Sequence, residues 1–417
     1  MKRIVHKYGG TSLATIDRIK NVSTRIRKWY KEVPEIVVVV SAMAGETNRL
    51  IDLGQAFSEL PDRRAFDQVV AAGEQVSAGL LAIALGELGL PVVTYCGWQI
   101  KILTNNDFGK ARILKIEKEK LERDLKQKKI IVVTGFQGIA ESTGAISTLG
   151  RGGSDTSAVA LAAAVNADEC LIYTDVDGVY TTDPRIEPSA RRLSKITFEE
   201  MLEMASLGSK ILQIRSVGFA GKYQVKTRVL SSLRKADISI KEEVDRSTLI
   251  TQEDDKKMEE AVISGIACNR DEAKVTITGV PDTPGIAYKI LGPVAKVNID
   301  VDMIIQNSGI DGLTDFSFTV PRSELEKTKK ELSINVIPVI GAKNLFTDSK
   351  ICKVSVVGIG MRASVGVASK MFEVLANEGI NINMISTSEI KISVILEDKY
   401  MELAVRTLHS AFGLGAD

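Results

Sequence analysis

The chain has little of what most enzymes recruit for chemistry. Its only two histidines, His6 and His409, sit at opposite ends of 417 residues. That excludes a histidine-built metal cluster, and it leaves a Ser-His-Asp triad with isolated imidazoles, neither near a Gly-x-Ser-x-Gly elbow. Cys96, Cys170, Cys268 and Cys352 are scattered without a Cys-x-x-Cys pair, so buried free thiols are expected rather than disulfides or zinc. Charge of one sign is not in excess: 54 Lys and Arg against 53 Asp and Glu leave +1. No basic field therefore exists to attract nucleic acid or an anionic membrane. Apolar runs such as residues 36–40 fall far short of the ~20 residues that span a bilayer. The basic start, Met1 to Tyr8, has no apolar stretch behind it, which predicts a cytoplasmic protein without a targeting segment. Neither a Walker A loop nor Gly-x-Gly-x-x-Gly is present, and Gly218-Phe219-Ala220-Gly221-Lys222-Tyr223 has the wrong spacing.

What is present is an ordinary globular composition, 44% hydrophobic and 26% charged, long enough for about three folding units. Up to about residue 250, continuous apolar runs at 36–40, 91–95, 130–134 and 170–174 alternate with helix-length stretches at 15–31, 65–86, 116–127 and 156–167. This predicts an α/β sandwich with a mainly parallel sheet, strands buried on both faces, and a ligand at their carboxyl ends. The body is placed at residues 1–245, and a charged stretch at 246–264 reads as a linker. Beyond it the sequence repeats. Lys274-Val275-Thr276-Ile277-Thr278-Gly279 resembles Lys353-Val354-Ser355-Val356-Val357-Gly358, and Gly285-Ile286-Ala287 matches Gly366-Val367-Ala368. Asp300-Val301-Asp302-Met303-Ile304 likewise matches Asn381-Ile382-Asn383-Met384-Ile385. Two βαββαβ modules are expected, at 265–342 and 343–417.

Several segments suit chemistry. Lys7-Tyr8-Gly9-Gly10-Thr11-Ser12 follows a strand and precedes a helix; two glycines let backbone N–H groups approach an anion, and the lysine adds a point charge. Such glycine pairs also serve as plain turns. Gly150-Arg151-Gly152-Gly153-Ser154-Asp155-Thr156-Ser157 forms a denser anion nest, in which Arg151 suits a carboxylate or phosphate and Asp155 suits either orientation of a lysine, a water-mediated Mg²⁺, or a helix N-cap. Thr174-Asp175-Val176-Asp177-Gly178-Val179-Tyr180-Thr181-Thr182-Asp183-Pro184-Arg185 follows a buried strand. It reads either as a structural hairpin or as the border of a nucleotide, with Lys210 downstream. Ser41 to Thr47 offers hydroxyls for a carboxylate, and Glu74 in Gly73-Glu74-Gln75 reads either as a solvated surface residue, which is the reading favoured by that residue alone, or as a partner for an ammonium group.

Taken together, in this order and spacing, these motifs resemble those of monofunctional aspartate kinases, members of the amino-acid kinase superfamily with tandem ACT domains. Ile385-Ser386-Thr387-Ser388-Glu389 resembles a signature of the second ACT copy. The departure is Tyr8, where the family usually carries phenylalanine. The resemblance implies ATP-dependent phosphorylation of the β-carboxylate of L-aspartate to 4-phospho-L-aspartate, the entry to lysine, threonine and methionine synthesis by the diaminopimelate route. It implies Lys7 and Asp155 as catalytic, and Ser41, Thr47, Glu74, Arg151, Gly152, Gly153 and Ser154 as aspartate-binding. Lys7, Tyr8, Gly9, Gly10, Thr174, Asp175, Tyr180, Asp183, Arg185 and Lys210 would form the ATP site, with Mg²⁺ carried mostly on ATP and held by few direct protein ligands. It further implies feedback inhibition by lysine and/or threonine where ACT domains of two chains meet, at Asp282, Gly285, Ile286, Gln306, Asn381 and Ile382, and hence a homodimer or higher oligomer. Other amino-acid kinases lack the tandem modules. A catalytically silent amino-acid sensor sits poorly with intact lysine, arginine and aspartate at every kinase position.

Overall fold

The computed structural model describes the chain except residues 59, 207–210, 253–261, 308–311, 360, 362–365 and 416–417. It divides into two compact units, one made of Met1–Tyr180 with Arg192–Lys257, the other of Thr181–Arg191 with Met258–Asp417.

The first unit carries strands β1 (Arg3–Tyr8), β2 (Glu35–Val40), β3 (Val92–Tyr95), β4 (Ile102–Thr104), β5 (Ile113–Ile116), β6 (Ile130–Thr134), β7 (Gln137–Ala140), β8 (Ile146–Thr148), β9 (Glu169–Thr174), β10 (Lys195–Thr197), β11 (Thr227–Ser231) and β12 (Thr248–Thr251). Its helices are α1 (Ile16–Glu32), α2 (Glu46–Gln55), α3 (Arg63–Val70), α4 (Ala72–Glu87), α5 (Glu119–Lys126), α6 (Gly153–Ala164), α7 (Phe198–Ser206), α8 (Ile214–Tyr223) and α9 (Ile240–Asp245). Among the described residues the main sheet runs β10-β12-β11-β9-β1-β2-β6-β3, and a smaller one runs β5-β4-β7-β8. Every pairing in the main sheet is parallel except β11 with β12. The β-branched runs of β2 and β6 are buried along almost their whole length, as strands covered by helices on both faces must be.

Two local expectations differ from the structure. The single helix expected over residues 65–86 is two, α3 and α4, parted at Ala71. The continuous run Arg63–Glu87 is apolar and long enough to cross a membrane by composition, but its Ala78, Leu81 and Leu85 lie in the core around Trp29 and Val38. The linker expected at 246–264 contains β12, which pairs with β10 and β11 and buries Thr248 and Ile250, and the first residues of β13 (Val262–Pro281).

Helix α1 begins where the Thr15 hydroxyl accepts from the Arg18 N–H at 3.3 Å and ends ahead of Pro34, which disfavours helix in the residue before it. Its buried face carries a charge. Arg25 is 0% exposed; its Nε donates to Glu243 at 2.6 Å and its Nη2 to the Arg234 carbonyl at 2.7 Å. Trp29 Nε1 and the Tyr173 hydroxyl also donate to Glu243, at 3.1 and 3.4 Å.

The second unit holds β13 (Val262–Pro281), α10 (Ile286–Lys296), β14 (Ile304–Asn307), β15 (Leu313–Val320), α11 (Leu325–Asn335), α12 (Ile337–Ile340), β16 (Asn344–Ile359), α13 (Val367–Asn377), β17 (Met384–Thr387), β18 (Lys391–Glu397) and α14 (Met401–Ala411). Its sheet is antiparallel, in the order β14-β15-β13-β16-β18-β17. Both repeats open their first helix on a left-handed glycine, Gly285 at φ 86° and Gly366 at φ 104°, a conformation that a Cβ disfavours. The long β13 and β16 pass through both repeats. The first half of β13 supplies Ile266 to the apolar cluster around α13 and α14, and its second half supplies Val275 and Ile277 to the cluster around α10 and α11.

Replacing Glu243 with Ala would leave Arg25 buried without its carboxylate. The expected loss is about 3–5 kcal/mol, read as a lower urea midpoint; an unchanged midpoint would show the pair to be dispensable.

Candidate active site

The central strand β1 lies between β2 and β9, with Lys7 opposite Val39 and Ile172. Parallel pairing puts the carboxyl ends of β1, β2, β6 and β9 on one side, so Gly9-Gly10, Ser41-Ala42, Gly135 and Asp175 emerge together. Into this edge comes the first turn of α6, which brings Asp155 Oδ1 to 2.6 Å from Lys7 Nζ. Lys7 is 8% and Asp155 7% exposed, so the pair sits in surroundings where water screens it weakly.

Three of the sequence motifs converge on one loop. A side chain at Gly10 would meet the Ala42 carbonyl at 2.9 Å, and one at Gly73 would meet the Ala42 Cβ at 2.8 Å. Glycine at both positions therefore lets the Lys7 turn and the start of α4 close on Ala42 from two sides. Ser41 is fixed by its N–H donating to the Tyr8 carbonyl at 3.1 Å. Glu74, 3% exposed, accepts from the Ala42 N–H through Oε1 at 3.0 Å, while Oε2 is buried without a hydrogen-bond partner among the described residues. Burial pushes its carboxyl up to about 7. A buried carboxylate with one vacant oxygen is suited to a cation arriving with the ligand. Ser41 and Thr47 are half-buried, Gly153 and Ser154 are buried in the first turn of α6, Gly152 caps that helix in the left-handed region, and Arg151 is exposed.

On the other side of β1 the structure is more selective. The Tyr8 ring is buried and stacks on Tyr173 with centroids 4.7 Å apart at 11°, so of Tyr8 only the backbone stays at the site. Its hydroxyl lies 3.3 Å from His6 Nδ1, which accommodates the extra oxygen relative to phenylalanine. The Gly9 N–H donates to the Tyr173 carbonyl at 3.3 Å and so is already engaged. Thr174 donates its hydroxyl to Asp175 at 3.1 Å, and the Tyr180 hydroxyl donates to Asp177 at 2.9 Å. Asp183 and Arg185 belong to the second unit, where they pair with each other at 2.7 Å and Arg185 is 90% exposed. Lys210 lies outside the described residues. The ordering of this region around Asp177 was not legible beforehand: Arg234, in the turn after β11, donates to Asp177 at 2.8 Å, and no motif marks it.

Of the six expected effector residues, Gln306 stands on β14 while Asn381 and Ile382 lead into β17, and these are the two outer strands of one sheet. Met303, just before β14, and Met384 of β17 nevertheless share one apolar cluster with Ile351 and Ile395. Among the described residues no three His, Cys, Asp or Glu side chains converge as a metal site.

The raised Glu74 carboxyl has a measurable consequence. Between the ordinary value of 4.5 and about 7, the unfolded chain ionises this group while the folded protein keeps it protonated. Stability therefore falls as pH rises through that window, by roughly 3 kcal/mol from this residue alone. Denaturation of E74Q against wild type from pH 4.5 to 8 is expected to show the variant gaining relative stability as pH rises; a pH-independent difference contradicts it.

An amino acid kinase family model matches residues 2–231, and ACT domain models match residues 274–335 and 354–412. The chain is 58% identical over 416 residues to the aspartate kinase of Pseudomonas putida, covering 100% of this chain and 98% of that protein. It is 57% identical over 418 residues to the aspartate kinase of Pseudomonas fluorescens, with coverage of 100% and 98%. Its fold is similar to that of E. coli aspartokinase III in complex with aspartate and ADP, with a TM-score of 0.78 and 24% identity over 98% of this chain and 99% of that one. The family model over more than half the length and the end-to-end likeness to these kinases place the chain in the aspartate kinase family, with an amino acid kinase domain followed by two ACT domains.

Proposed function

We propose that the protein transfers the γ-phosphoryl group of Mg-ATP to the β-carboxylate of L-aspartate, giving 4-phospho-L-aspartate for lysine, threonine and methionine synthesis in the cytoplasm. The observation that carries this reading is the buried Lys7–Asp155 pair at the strand edge where the glycine turns and the half-satisfied Glu74 meet. A carboxylate acceptor is already a nucleophile, so no general base is needed. The work is to hold two anions in line and to neutralise charge on the transferring group. Lys7 would stabilise that charge, with Asp155 setting its position. Glu74 would take the α-ammonium of aspartate, and Arg151 with Ser41, Thr47 and the 152–154 backbone its carboxylates. The nucleotide would lie against Gly9, Gly10, Thr174, Asp175 and Tyr180; Asp183, Arg185 and Lys210 are assigned to nucleotide binding by the family resemblance alone. Mg²⁺ would ride on ATP, whose phosphates supply most of its ligands.

The reading extends to regulation. The catalytic domain is taken as residues 1–245, followed by ACT modules at 265–342 and 343–417, with residues 262–269 packing alongside the second. Lysine and/or threonine would bind at Asp282, Gly285, Ile286, Gln306, Asn381 and Ile382 in a site shared by two chains of a homodimer or larger oligomer.

The deciding measurement is ADP release from Mg-ATP with L-aspartate, L-glutamate, acetylglutamate or UMP as acceptor. Turnover is expected with aspartate, and turnover with another acceptor alone would sink the assignment. K7A is expected to lower kcat by about 10²–10³-fold in a protein that still folds but is less stable, because Asp155 loses its buried partner; near-normal turnover would remove its role. Lysine and threonine, singly and together at millimolar concentration, are expected to inhibit, and light scattering to report an oligomer. Indifference to both, or a strict monomer, would overturn the shared effector site.

A further inference from the structure

Arg215 stands in the first turn of α8, and its guanidinium serves neither an acid nor open solvent alone. Nη1 donates to the Leu149 carbonyl at 2.5 Å and Nη2 to the Ala111 carbonyl at 2.9 Å. Among the described residues no carboxylate pairs with it. Burial, and then the neighbouring Arg112, hold its pKa below the ordinary value. A cation kept among carbonyls and near another cation is not placed there for charge pairing. The rigid fork of arginine is used to bridge two separate backbone segments.

The same two segments are gripped by a buried acid. Asp67 of α3 accepts from the Thr148 N–H at 2.7 Å, the Thr148 hydroxyl at 2.9 Å and the Gly109 N–H at 2.9 Å. The Ala111 N–H donates to the Thr148 carbonyl at 2.8 Å, closing the clamp. The next residues after Leu149 are Gly150, Arg151 and Gly152. A side chain at Gly150 would meet the Gly109 carbonyl at 2.9 Å, and one at Gly152 would collide with Gln213, two positions before Arg215. The far end of the loop is set by Asp155 on Lys7.

We propose that Arg215, with Asp67, is the positioning residue of the acceptor-binding loop: its two backbone hydrogen bonds fix the point from which residues 150–154 reach the phosphoryl-transfer site. This rests on the reading that Arg151 and its neighbours hold the acceptor. Arg215 itself touches no reacting atom. Loss of the fork lets the loop drift, and small displacements of a positioned reactant are costly.

The test is steady-state kinetics of full-length R215Q, R215K and R151A with L-aspartate and Mg-ATP varied separately, alongside thermal unfolding. R215Q is expected to raise the KM for aspartate about tenfold, the size of one charge-assisted hydrogen bond, while the KM for ATP stays within about twofold. R215K should recover part of the loss, because one ammonium reaches one carbonyl at a time, and it keeps the test open if R215Q does not fold. A KM for aspartate unchanged in R215Q and R215K but raised in R151A overturns the positioning role. Equal rises in both KM values, tracking a lowered melting temperature, also overturn it. An R151A enzyme with normal aspartate kinetics overturns the acceptor-loop reading itself.

Discussion

Lys7 and Asp155 meet across 2.6 Å at the end of the central strand, and most of the first unit's construction serves to keep them there. Two nearly buried charges cost several kcal/mol each to desolvate and recover it only when the geometry is held. Strand β1 is held by parallel neighbours on both sides, and α6 by its alanine-rich, almost wholly buried face. The pair is thus part of the scaffold before any ligand arrives, which is the condition for electrostatic stabilisation without reorganisation at the moment of transfer.

Behind the site lies a second charged network, with Arg25 under the Tyr173 ring at 5.2 Å and Glu243 collecting donors from Arg25, Trp29 and Tyr173. The stacked rings of Tyr8 and Tyr173 join the ends of β1 and β9. This base also explains His6: burial, then Arg25 and Lys28, lower its pKa to about 3, so it stays neutral in the core. His409 is held the same way in the second unit, where Thr181 lies 2.9 Å from its Nε2 and burial depresses its pKa. The two histidines whose scarcity ruled out histidine chemistry are core residues.

The second unit shows how a repeat can be plain in sequence and interleaved in space. Offsets between Gly285 and Gly366 mark equivalent helix starts, and both glycines take left-handed backbone. Strand β13 nevertheless contributes to both apolar clusters. The segment Thr181–Arg191 joins this unit as well, its Thr181 carbonyl accepting from the Ile266 N–H at 2.7 Å. A motif that reads as one stretch, from Thr174 to Arg185, is divided between two bodies after Tyr180.

Continuous β-branched runs made the mainly parallel sheet legible in the sequence, because it depends on local pattern: period and residue type. Lys7, Glu74 and Asp155 stood out only through the joint resemblance of their motifs, since Glu74 by itself reads as a solvated surface residue. The sequence alone also determined that catalysis must do without histidine. Other features required the fold. That Tyr8 turns inward, that Gly9 gives its N–H to Tyr173, that α3 and α4 part at Ala71, and that Arg215 and Asp67 grip the glycine loop all depend on partners 40 to 170 residues away or on packing against them. Such pairings leave no periodic trace, since an arginine bound to two carbonyls and an arginine in solvent are the same letter; only the tertiary structure supplies the acceptors that distinguish them.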